Sequence, residues 1–193
     1  MKQSLVLLGC CIVLLSLAGC QNANKGAIGA EAMQVIVEDD GKFPEFLVGE
    51  WKADKGGWVF NFKPDGTISY AVISMARVRM KPGEITTVPL KMDGKGVFEP
   101  GEWLVHYIPA TRELTVKIIL KHFNMEMGDS ILEGSITDVF VGEVDEGANV
   151  WQAEWTSFTK ITGHTPEYPT MDLSGDPVYG VTESLIFEKF VRK

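Results

Sequence analysis

Beyond residue 20 the chain has no cysteine: Cys10, Cys11 and Cys20 are the only three among 193 residues. Disulfides, thiol catalysis and cysteine-held metals are thereby excluded from everything downstream. Positive charge is also scarce, with 18 Lys and Arg against 26 Asp and Glu and a formal net charge of -8. This acidic balance argues against nucleic acid as a partner and against electrostatic docking on anionic lipid. Helical periodicity is nearly missing, and histidine occurs three times. There is no nucleophile elbow, no phosphate-cradling glycine loop and no His-Glu-x-x-His. No catalytic residue, metal or cofactor is therefore assigned, and the chain reads as a non-enzyme.

What is there begins with Lys2 and an apolar stretch from Leu5 to Leu17. Roughly a dozen apolar residues suit a secretory signal and fall short of the ~20 that span a bilayer. Small residues follow, then Cys20, then an abrupt change to Gln21, Asn22, Asn24, Lys25 and Gly26. Leu17-Ala18-Gly19-Cys20 resembles the lipobox of bacterial lipoproteins. The resemblance implies a signal peptide over residues 1–19, removed before Cys20, with a diacylglyceryl group on the Cys20 sulfur and an acylated amine. Two or more chains would anchor such a protein stably, because each buried methylene contributes about 0.8 kcal/mol. Gln21, where an aspartate would signal retention, implies the outer membrane of the cell envelope in a Gram-negative source.

The remaining length suits one domain with a sizeable core. Residues 20–42 read as the lipidated N-terminus and a tether, with room for one short strand or helix around Met33-Gln34-Val35-Ile36-Val37. Residues 43–193 read as a single β domain. Trp58, Phe60 and Phe62 alternate onto one face. Pro64-Asp65-Gly66 is a turn in which Pro presets φ, Asp bonds its own backbone and Gly accepts positive φ. Thr67 to Met80 reads as one long strand, and Glu84 to Met92 as another interrupted at Pro89. Trp103–Ile108 and Leu114–Asn124 form a hairpin in which facing residues sum to about 221. Ser130–Val144 carries Leu132, Ile136, Phe140 and Val144 on one face, and Val150–Ile161 carries Trp151, Ala153 and Trp155. A last strand covers Val181–Val191.

These eight or nine antiparallel strands must protect their edges. An up-and-down barrel does so most completely; a two-sheet β-sandwich is the alternative. Gly49-Glu50-Trp51, followed by Phe60-x-Phe62-x-x-Asp65-Gly66-Thr67, resembles the opening of lipocalin-like proteins. That resemblance implies a barrel whose Trp51 crosses a closed base, with a late partner arginine placed at Arg192. It also implies a small, apolar ligand held inside. Trp58, Phe60, Phe62, Trp151 and Trp155 would line such an interior.

Among polar candidates, Asp138 shares the face of Leu132, Ile136 and Phe140. It points into a ligand cavity if that face is internal, or into solvent if a bulge flips the register. Arg77 and Arg79 share a face and either pair with an anion or are solvated. His106 and His122 lie on the two arms of one hairpin but sum to 228, so they are offset along the ladder, and His164 is in a loop. Zinc is not expected from them; His122 instead reads as a histidine ending an apolar barrel face. Asp172, Ser174, Asp176 and Glu183 have calcium-loop spacing, but Pro177 stands where a glycine is required, so a turn cluster is the plainer reading. The expected function is ligand binding by an envelope lipoprotein. The alternative is a structural or interaction module that docks another envelope protein.

Overall fold

The computed structural model describes residues 32–91, 93–164 and 178–190. The expected signal peptide, Cys20, Arg192 and the calcium-like spacing at residues 172–176 lie outside the described residues. Among the described residues twelve strands are present: β1 (Met33–Val37), β2 (Gly49–Ala53), β3 (Val59–Phe62), β4 (Ile68–Ile73), β5 (Val78–Met80), β6 (Thr86–Pro89), β7 (Lys95–Pro100), β8 (Trp103–Ile108), β9 (Glu113–Met127), β10 (Ser130–Asp145), β11 (Val150–His164) and β12 (Val178–Lys189). The protein is all-β. Among the described residues no helix is long and apolar enough to cross a membrane.

The strands form one mixed sheet in the order β1-β8-β9-β10-β11-β12-β2-β3-β4-β5. β7 shares the β8 edge of β9, further along the strand, and carries β6 on its outer side. The closed, purely antiparallel barrel is therefore corrected. β1 pairs in parallel with β8, and among the described residues no ladder joins β1 or β6 to β5. Side chains approach across that seam instead: the Ile68 N–H reaches Met33 Sδ at 3.1 Å. The strand count is corrected as well. The expected strand from Thr67 to Met80 breaks at a 3-10 turn over Met75–Arg77, where Arg77 takes φ 50° and the chain doubles back to pair β4 with β5. β1 is the short strand for which the tether reading left room.

Although open, the sheet curls on itself. Phe60 of β3 and Phe140 of β10 meet at 5.1 Å between ring centroids, although β2, β12 and β11 separate their strands in the sheet order. Alternation supplies the buried face: Leu114, Val116, Ile118 and Leu120 on β9, and Trp103, Val105 and Tyr107 on β8. These residues join one continuous core. Each fully buried side chain of this size contributes about 1.5–3 kcal/mol.

The hairpin register is as expected, with His106 opposite Thr115 and Leu104 opposite Lys117. The inward phase of β9 then changes. Pairing with β10 jumps from Ile136–Leu120 to Gly134–Phe123, so β9 carries an extra residue there. Pairing with β7 jumps at the same place, between Pro100–Leu120 and Glu99–His122. Beyond this bulge the buried positions are Phe123 and Met125.

Candidate functional site

The site is built where the inner faces of β9, β10 and β11 run past Trp58 and the turn after β4. Asp138 keeps the inward phase of Ile136 and Phe140, since the bulge falls before it on β10. It is 4% exposed. Its Oδ1 accepts the indole N–H of Trp155 at 2.9 Å, and the Ser157 side chain is its second hydrogen-bond partner. Burial pushes this carboxyl above the usual carboxylate range, and the bonds from Ser157 and Trp155 only partly oppose that.

A pocket of about 250 Å³ opens at Asp138. Trp58 and Trp155 form aromatic wall, Ile73, Met75, Leu120 and Ile136 form aliphatic wall, and Ser74, Ser157 and Thr159 add hydroxyls. Trp58 is 1% exposed, and among the described residues its indole N–H has no acceptor. A buried donor of this kind is rare, because leaving it unmade costs about 1–3 kcal/mol. Among the described residues no charged side chain other than Asp138 lines the pocket. Lys55 and Glu183 at this end pair with each other at 2.5 Å, and Glu183 stands opposite Trp155 in the ladder.

Three of the seven sequence-derived ligand residues, Trp58, Asp138 and Trp155, therefore meet in one place. Phe60, Phe62 and Trp151 do not reach the pocket. Trp151 stacks on Phe187 at 4.6 Å, Phe60 on Phe187 at 5.5 Å, and Phe62 lies against Phe43 at 5.8 Å. This half of the interior is filled by its own rings. His122 is not the last residue of an apolar face. The bulge turns it to the opposite side of the sheet, where its Nε2 lies 2.7 Å from Glu133 Oε1. His106 pairs instead with Glu38, and no group of three metal-binding side chains occurs among the described residues. Of the arginines, Arg79 lies over the Tyr70 ring at 4.1 Å and Arg77 is exposed on its turn.

Trp51 is fully buried, and its N–H donates to Leu47 O at 2.8 Å. The basic residue at that end is Lys189, opposite Trp51 in the ladder, whose Nζ donates to Phe46 O at 2.7 Å. Ser157 and Thr159 were missed from the sequence although they continue the Trp151-Ala153-Trp155 face. Two small hydroxyl residues extending an aromatic face were the available signal. Ser74 and Met75 carried none, because their turn was read as strand.

A larger groove of about 710 Å³ follows the open seam between β1, the 41–48 segment and the Pro64-Asp65 turn. It is shallower and wetter than the Asp138 pocket, and its lysine and carboxylates face solvent, so the inner pocket is the better-built site. Comparison with protein families, with curated sequences and with solved structures finds no match. The fold and the pocket themselves define the class: an all-β domain with a ring-filled core and a small internal site around a buried carboxyl.

Proposed function

We propose that this chain is an envelope lipoprotein, anchored through Cys20, that holds a small ligand in the Asp138 pocket. The single observation supporting ligand binding is a carboxyl buried beside an unpartnered indole donor at a pocket that reaches the surface. A core built only for stability avoids both features. The pocket volume, below the ~300–1,000 Å³ of drug-sized sites, favours a compact molecule with polar groups over a long apolar one. Support for the anchor is the sequence pattern Leu17-Ala18-Gly19-Cys20 alone.

Native mass spectrometry of the purified protein is expected to reveal a co-purifying small molecule that is lost in Asp138→Leu. An identical spectrum for a folded Asp138→Leu variant overturns pocket binding. Cys20→Ser is expected to move the protein from the membrane fraction to the soluble one, and a variant that stays membrane-bound overturns the anchor. The interaction-module alternative draws less support. Exposed Phe158 and Ile186 share the outer face of the sheet, but Ile186 pairs with Gln152, six residues along β11 from Phe158, so they form no contiguous patch.

A further inference from the structure

We infer that the Asp138 pocket selects a small organic ammonium, an inference that rests on the ligand-binding reading above. Charge comes first. Among the described residues the pocket offers one ionisable side chain, a carboxyl, and no Lys, Arg or His on its walls. An anionic ligand would therefore meet a like charge with nothing to offset it, whereas an ammonium supplies the counter-charge that a buried carboxylate lacks.

Surface chemistry points the same way. Trp58 and Trp155 present indole to the pocket, and ring faces attract organic cations, most strongly where water is excluded. The aliphatic wall, including Leu120 and Ile136, suits the alkyl part of such a molecule. An ionised carboxylate has about four lone-pair sites, and Trp155 and Ser157 engage Asp138 without exhausting them.

Size sets the limit. At ~30 Å³ per water, 250 Å³ equals about eight waters, enough for a short amino alcohol and too little for a lipid chain. The net charge of -8 steers cations toward the protein at low salt.

Ammonium binding must be linked to ionisation of Asp138. Burial holds that carboxyl protonated above the usual range, so the ammonium should bind more tightly as pH rises and the carboxylate forms. Among the described residues the other charged groups near this end are Lys55 and Glu183, paired with each other, and Arg77 on its exposed turn. None of them lines the pocket.

The test titrates the full chain with choline, with 3,3-dimethylbutan-1-ol as its uncharged isostere and with 3,3-dimethylbutanoate as the anion, following tryptophan fluorescence and heat. Choline is expected to bind at least tenfold more tightly than the alcohol, more tightly at higher pH, and the anion not at all. Asp138→Asn should abolish both the preference and the pH dependence. Circular dichroism checks that the variant folds. If the alcohol or the anion binds as well as choline, the ammonium inference fails while the pocket reading stands. If no probe of any charge binds, both fail together.

Discussion

Around Phe60, Trp151 and Phe187 the interior is ring against ring, whereas a few residues along the same strands it opens into the pocket of Asp138. The strands do not change between these two places, and the side chains do. On β10 the inward sequence passes from Phe140 to Asp138, and on β11 from Trp151 through Trp155 to Ser157 and Thr159. Replacing rings by a carboxyl and hydroxyls on an unchanged curve removes volume and adds polar groups that need partners. A filled end and an open end of one core thus follow from inward side-chain size alone.

The largest expected effect breaks the filled end. Phe60 contacts Phe140, Trp151 and Phe187, so Phe60→Ala should cost about 3–5 kcal/mol. Ile136→Val, trimming the pocket wall where space already exists, should cost no more than about 0.5–1.5 kcal/mol. Urea unfolding of both variants checks the contrast, and equal losses would mean that the two ends are packed alike.

Next comes Asp138→Asn, which sharpens the comparison through pH. Burial raises the folded-state carboxyl above its ordinary value near 3.8. The folded protein then holds more protons than the unfolded chain across that window, so the wild-type contribution is fully present below the ordinary value and is lost as pH rises through the raised one. Asparagine keeps an acceptor for the Trp155 N–H without a charge to bury. The variant should match wild type in mild acid and gain on it steadily toward neutrality in thermal melts. A constant difference at every pH would mean that Asp138 ionises as freely as a surface carboxylate.

Legibility from sequence follows the same division. Alternation is readable where strands are long and regular, so the 221 register and the Pro64-Asp65-Gly66 turn agree with the structure, and of the two directions open to Asp138 the structure shows the inward one, whereas β7 (Lys95–Pro100) had no counterpart. What alternation does not encode is a change of phase. The extra residue near Lys121 carried His122 to the other side of the sheet, and the Ser74–Arg77 turn split a pattern whose apolar positions ran on through it. Closure was not readable either. Whether the last strands meet depends on β1 pairing in parallel with β8, a contact between residues 33–37 and 103–107 that no local pattern announces.

A smaller effect is expected from Asp65, a carboxylate outside both ends of the core. Its Oδ1 accepts the Thr67 hydroxyl at 2.6 Å and the Thr67 N–H at 2.9 Å, and these bonds, the hydroxyl first, hold it below the ordinary carboxylate range. Its contribution is present above that range and is lost as pH falls through the lowered value, opposite in sign to Asp138. Asp65→Ala should cost about 0.5–1.5 kcal/mol at neutral pH and less in acid. A loss independent of pH would attribute the turn to Pro64 and Gly66 alone.

The smallest effect is expected at the rim of the open end. Lys55 and Glu183 are both substantially exposed, so water screens their 2.5 Å pair and holding two long side chains together offsets much of the attraction. Lys55→Ala should therefore change stability by no more than about 1 kcal/mol, and added salt should shrink even that. The β2–β3 turn has a second tie to β12 that does not depend on this pair: Asp54 N–H donates to Ile186 O at 2.8 Å, and Ile186 N–H donates to Asp54 Oδ1 at 3.0 Å. Asp54→Ala removes the second of these bonds and should cost more than Lys55→Ala. If the order is reversed, the ion pair carries the rim, and this end of the core is held from its surface and not by its backbone.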